Sequence, residues 1–246
     1  MTLLAALLGA TLLSVSGNDA SVLLAKHTQY VGWQAGDPSM QGWSASGTRT
    51  NGRANDTFAE KRSGIAYRDT LTAAGGRISM QTGFTGTTLW QSDPNGFTVT
   101  QSGMPAQVAY DLNLIRAETL SSATRGASNC VSDLTVTGSA RVRGTDTTIL
   151  TVKPACAPPV DIYEDPTTGA FLQAIIDPNG PARTLVSIDA YAEVAPGKKA
   201  VSQWTVGSAQ YTLTSISAAH VADSDLIAPA PTATWSFGDQ SVPVDL

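Results

Sequence analysis

From Thr184 to Val194 the sequence alternates with a period of two: Val186, Ile188, Ala190, Ala192 and Val194 are apolar, with Ser187, Asp189, Tyr191 and Glu193 between them. Successive side chains of a strand point to opposite faces, so this pattern buries one face and wets the other. Antiparallel sheets are built this way, whereas parallel sheets, covered on both faces, read as continuous apolar runs. Strand-like segments recur at Thr57 to Tyr67, Arg77 to Phe84, Thr87 to Gln91 and Phe97 to Gln101. More follow at Leu134 to Val142, Thr147 to Val152, Phe171 to Ile176, Val201 to Val206 and Tyr211 to Ile216, and Ser241 to Leu246 can begin another.

Two segments carry a helical period instead. Asn18 and Asp19 can cap a helix from about Ala20 to Val31, in which Leu23, Leu24, His27, Tyr30 and Val31 recur at helical spacing before Gly32. Pro105 suits the first turn of a second helix reaching about Leu120, with Val108, Leu112 and Ile115 as its apolar stripe. Parallel βαβ winding needs helices alternating with strands, and that alternation is missing. The expected fold is therefore mainly β, in the α+β class. It is a single curved antiparallel sheet of ten or eleven strands, with an N-terminal helix and a mid-chain helix packed on its concave face.

The turns have their own chemistry. Asp93-Pro94-Asn95-Gly96 places Pro where φ near −65° is wanted and Gly where φ must be positive, which predicts a hairpin. The same four residues return at Asp177-Pro178-Asn179-Gly180, and Asp165-Pro166-Thr167-Thr168-Gly169 is related. Their spacing holds no fixed period, so they are repeated turns and not a sequence repeat.

Composition bounds the partners and the compartment. Hydrophobic residues make up 42% of the 246, enough for a real core. Only 14% are charged, and the net charge is −5. With no basic excess, the sequence argues against nucleic acid or an anionic membrane as partner. Polarity must come largely from Ser, Thr, Gln and Asn, an export-like composition. Leu3 to Leu13 form an apolar run, too short to span a bilayer, followed by small residues at Ser14-Val15-Ser16. Residues 1–17 read as a signal peptide, and the alternative is a buried first helix. No other stretch is long and apolar enough to be transmembrane. The expected location is periplasmic or secreted. In that oxidising setting Cys130 and Cys156 could close a loop of 25 intervening residues, worth about 3 kcal/mol. Two unrelated buried thiols are the alternative.

Several short motifs together carry a resemblance. Thr82-Gly83-Phe84-Thr85-Gly86-Thr87-Thr88-Leu89-Trp90, followed by Asp93-Pro94-Asn95-Gly96, resembles a stretch of exported bacterial domains with the half-barrel fold of the outer-membrane lipoprotein carriers. Ile162 to Leu172 is similar to their Asp-x-x-Thr-Gly hairpin, Asp189-Ala190-Tyr191 to a later strand, and Asp225-Leu226-Ile227-Ala228-Pro229 to their closing element. The resemblance implies an unclosed half-barrel over residues 18–232, with 233–246 a linker or the start of a following module. Some such domains precede retropepsin-like aspartic peptidase modules, and Val242-Pro243-Val244-Asp245-Leu246 looks like the strand entering the first of them. The 246 residues contain no Asp-Thr-Gly or Asp-Ser-Gly, so any peptidase link implies an accessory front domain only.

No reactive constellation stands out from the residues, and none is expected: no catalytic residue, no metal ligand set and no cofactor. The histidines are His27 and His220. Gly42-Trp43-Ser44-Ala45-Ser46-Gly47 fails the spacing of a nucleophile elbow, so a hydrolase built on Ser44, Ser46 or Ser63 with His220 is the weakest reading. Asp223-Ser224-Asp225 lacks the rest of a calcium loop. Asp161 and Glu164 suit glycoside chemistry only if they face each other across a groove. What remains is an apolar cavity between sheet and helix, with Tyr67, Met80, Phe84, Trp90, Phe97, Leu112 and Ile115 as candidate lining residues. The same residues could instead simply fill the core. The expected ligand is a lipid or a hydrophobic peptide segment.

Overall fold

The structure is a computed structural model and describes residues 19–33, 42–116, 131–229, 233–237 and 240–244. The chain opens with helix α1 (Asp19–Val31) and then lays down β1 (Trp43–Asn51), β2 (Ala54–Ser63), β3 (Ala66–Thr72), β4 (Ile78–Phe84), β5 (Leu89–Ser92) and β6 (Thr98–Gln101). Helix α2 (Met104–Arg116) follows. The second series is β7 (Val131–Val142), β8 (Thr145–Pro154), β9 (Val160–Glu164), β10 (Phe171–Ile176), β11 (Thr184–Ala195), β12 (Lys198–Val206) and β13 (Ala209–Ala218). A separate hairpin pairs β14 (Ala233–Phe237) with β15 (Gln240–Val244), and holds Val242, Pro243 and Val244.

Thirteen strands form one unclosed antiparallel sheet, in the order β6-β5-β4-β3-β2-β1-β13-β12-β11-β10-β9-β8-β7. This is the half-barrel expected from the pattern, with more strands than the ten or eleven counted. Three causes account for the difference, the first being β9, too short between Pro159 and the Asp165-Pro166 turn to stand out as a strand. The segment 57–67, read as one strand, is two, because Gly64 turns the chain at φ +57 and starts β3. The Ser-rich segment after Gly42 is β1, whose inward residues Trp43 and Ala45 are too few to show as a period.

The topology explains where α2 lies. β6 and β7 are the two outer edges of the sheet, so the chain joining them must cross one face. Only the concave face offers an apolar surface for the stripe of α2, and Ala106, Ala109, Tyr110 and Ile115 are buried there. The core beneath is made of Phe58, Leu150, Val152, Val160, Ile162, Phe171, Ile176, Val186 and Ile188. α1 packs at the β7–β12 side of the same face. His27, on its apolar side as expected, is stacked on Phe171 with centroids 3.5 Å apart, and its Nδ1 lies 2.7 Å from the Gly169 carbonyl. Gly169 has φ +84, and a Cβ there would lie 2.6 Å from the Lys26 carbonyl oxygen, so helix and turn meet only because this residue is glycine.

The Asp93 and Asp165 turns form as their chemistry predicts, with Gly96 at φ +85 and Gly169 at φ +84, whereas in the third turn the positive φ falls on Asp177 and not on Gly180. The Asp93 carboxylate accepts from the backbone N–H groups of Asn95 and Phe97, both at 2.8 Å, and closes the β5–β6 hairpin. Asp165 accepts from Thr167 and Thr168 between β9 and β10, and Asp177 accepts from Ala182 between β10 and β11.

After β13 the chain folds back over the convex face as a strap. Ala219 donates to the Gly42 carbonyl, Lys61 reaches Asp225 at 2.8 Å, and Trp90 Nε1 donates to the Leu226 carbonyl at 2.9 Å. Residues 1–17 and Cys130 lie outside the described residues. No helix among the described residues is long and apolar enough to cross a membrane.

Candidate functional site

α2 does not fill the trough it crosses. A cavity of about 150 Å³ remains between the helix and the sheet. Phe58, Tyr67, Asp69, Leu71, Met80 and Thr82 line it from β2 to β4, Val186, Trp204, Val206 and Tyr211 from β11 to β13, and Leu112 and Arg116 from α2. The lining is mostly apolar, as in small-molecule pockets.

The seven candidate lining residues divide three ways. Tyr67, Met80 and Leu112 come together around the cavity. Phe84 and Ile115 are buried in the core and fill it. Trp90 and Phe97 are elsewhere. The β4–β5 register pairs Phe84 with Leu89 and Gly83 with Trp90, which turns Trp90 to the convex face. There its ring lies over Gly83, under the strap and 5.8 Å from the Arg68 guanidinium. Phe97 sits in the β5–β6 turn and is 39% exposed. Both corrections have one physical reason: strand parity and turn position, not residue type, decide which face a side chain serves.

Sequence reasoning missed the polar wall of the cavity. Arg116, in the last turn of α2, donates from Nη1 to Glu60 Oε2 at 2.9 Å and from Nη2 to Glu60 Oε1 at 3.2 Å. Its guanidinium lies 3.8 Å from the centroid of the Trp204 ring, which is itself stacked on Tyr211 at 4.9 Å. Arg62 Nε is 3.5 Å from the same Glu60 carboxylate. Burial alone would raise the Glu60 carboxyl, but Arg116 and Arg62 outweigh it and hold its pKa down at about 2. Asp69 faces Glu60 directly across the β2–β3 register. Burial, and then the Glu60 charge, push the Asp69 carboxyl well above the usual carboxylate range. The alternation of Phe58, Glu60 and Arg62 on β2 is the signal that could have exposed this cluster: charged residues in phase with a core phenylalanine.

Two further carboxyl groups are buried without a hydrogen-bond partner among the described residues, Asp111 on α2 and Glu164 at the end of β9. Burial, with Asp177 nearby, pushes the Asp111 carboxyl up to about 8. Burial raises Glu164 to about 8 despite Lys26. Burial also drives His27 down to about 4, so its neutral imidazole donates to Gly169.

The other motifs resolve into structure. Ser44 and Ser46 are on the convex face of β1, where Ser46 meets Ser215 at 2.8 Å. Among the described residues no three potential metal ligands cluster. Asp161 and Glu164 lie on opposite faces of β9, so they do not flank a groove. Asp223 to Asp225 form a single 3₁₀ turn in the strap.

An unclosed antiparallel sheet wrapped around a helix and an apolar cavity is the architecture of the lipoprotein-carrier-like half-barrels. Solved structures share this fold, among them the following three. A DUF1329 family protein from Desulfovibrio piger is 12% identical with a TM-score of 0.55, over 86% of this chain and 97% of that one. A LolA superfamily protein from Nitrosomonas europaea is 9% identical with a TM-score of 0.53, over 85% and 97%. An outer membrane lipoprotein-sorting protein domain from Vibrio parahaemolyticus is 8% identical with a TM-score of 0.51, over 82% and 92%. These likenesses show the fold. No protein-family model matches the sequence, and no curated protein resembles it at the sequence level.

Proposed function

We propose that this chain is an exported, non-catalytic binding domain that holds an apolar segment of a lipid or hydrophobic peptide between its sheet and α2. The observation that carries this reading is the cavity left open beneath Leu112. A cavity of about 150 Å³ accepts a group of roughly benzene size. Burial of such a group contributes about 25 cal/mol per Å² of apolar surface. The lipoprotein-sorting domain and the LolA superfamily protein that share the fold support the carrier reading, and with it a periplasmic location. The low charge content and the apolar run at residues 3–13 point the same way.

Cys130 and Cys156 form a disulfide on this reading. Cys156 is disulfide-bonded, and Pro154, two residues before it, pairs with Val131 at the start of β7. The peptidase-accessory reading rests on residues 242–246 alone, and no structural observation favours it over the carrier reading.

The test is titration with an environment-sensitive lipid probe. Fluorescence is expected to rise on binding, and Leu112→Asp is expected to weaken binding by about tenfold or more, since it sets a charge against the ligand. A flat titration at high protein concentration overturns the proposal.

A further inference from the structure

The convex face, opposite the apolar cavity, carries a second concavity of about 320 Å³ lined by Ser44, Ala59, Glu60, Lys61, Arg68 and Thr70, with the Glu60 carboxylate itself bound to Arg116. Its two cations are cross-strand neighbours, because the β2–β3 register sets Lys61 directly opposite Arg68. Like charges in that arrangement destabilise a sheet. One carboxylate answers them: Asp225, from the strap, meets Lys61 Nζ at 2.8 Å. Among the described residues no carboxylate pairs with Arg68, whose Nη2 donates instead to Gln81 Oε1 at 3.2 Å. Asp225 itself is held below the usual carboxylate range, first by its bond from Lys61 and also by the charge of Arg68.

The surroundings fit an incoming anion. Ser44 and Thr70, which carry hydroxyls, line the same hollow, as does the small side chain of Ala59. A guanidinium, an ammonium and two hydroxyls around one hollow are the donor set that recognises a tetrahedral oxyanion. We propose that this hollow binds a phosphate or sulfate group, on a soluble molecule or on a lipid headgroup. The anion bridges Lys61 and Arg68, completes the neutralisation that Asp225 begins, and leaves the apolar cavity on the other face free.

The experiment compares the full chain with Arg68→Gln and Lys61→Gln by thermal denaturation and calorimetric titration, at constant ionic strength. The probes are inorganic phosphate, glycerol phosphate and chloride. Phosphate or its ester is expected to raise the melting temperature of the parent chain, and chloride is not. Either substitution is expected to weaken phosphate binding by about tenfold or more. Without phosphate, Arg68→Gln is expected to melt at or above the parent temperature, because the facing like charges are gone. Co-sedimentation with phosphatidylglycerol vesicles distinguishes the source: binding lost in Arg68→Gln, with no response to free phosphate, assigns the site to a headgroup. Equal responses to phosphate and chloride, with no vesicle binding, overturn the proposal. So does phosphate or vesicle binding that survives both substitutions.

Discussion

Gly83 shows how one absent side chain decides which face its neighbour occupies. A Cβ at Gly83 would lie 2.2 Å from the Trp90 ring, which occupies the space a side chain would take. Gly83→Ala therefore displaces an indole that is almost completely buried and bonded to Leu226. The expected cost is about 1–3 kcal/mol, read as a lower melting temperature. Lipid-probe binding by the folded fraction is expected to persist, because the cavity lies on the other face. A loss of probe binding with unchanged stability would contradict this placement. At this scale the sequence was legible in part. Tyr67, Met80 and Leu112 were found by type and period, but Trp90 was read by type alone, and an aromatic residue next to a strand glycine fits either face. Glu60, Asp69 and Arg116 went unseen because charged residues pattern as surface, and only their mutual pairing makes burial tolerable.

At the scale of elements, α2 is held to the sheet at its C-terminal end by Arg116. The guanidinium contributes two hydrogen bonds to Glu60 and a stack on Trp204. Removing one partner of a buried pair leaves the other charge uncompensated, so Arg116→Gln is expected to cost about 3 kcal/mol. Replacing Glu60 by Gln as well is expected to restore part of that loss, and a double-mutant cycle in denaturant measures the coupling. Faster amide exchange confined to α2 in the single variant is the accompanying sign. The elements themselves were readable. α1 and α2 appear where period, Pro105 and Gly32 set them, and the Asp93 hairpin forms as its turn chemistry dictates. β1 was not readable as a strand, since its burial depends on β2 and β13 on either side.

For the whole molecule, buried titratable groups set the pH dependence of stability. Asp111 and Glu164 titrate near 8 when folded, against about 4 in the unfolded chain. Across that interval the folded state keeps protons the unfolded state has lost, so their contribution falls as pH rises. His27 acts in the opposite sense. Its folded value near 4 lies below the ordinary 6.5, so between those values the unfolded chain binds the extra proton and stability rises with pH. The effects oppose each other up to about pH 6.5, and above that the raised carboxyl groups, Asp69 acting in the same sense, set the slope. The melting temperature is thus expected to fall from about pH 6.5 through 8, and Asp111→Asn with Glu164→Gln is expected to flatten that decline. A thermal series in pH measures it, and an equally steep decline in the double variant would exclude these groups as the cause. The sequence by itself determined the antiparallel class, the two helices and the turns, because period and turn chemistry are local properties of the chain. Tertiary structure alone decided which strands became neighbours, which face Trp90 took, and that a cavity and a buried ion cluster share one wall. Those depend on register and curvature, which are fixed only when segments far apart in the chain pack against one another.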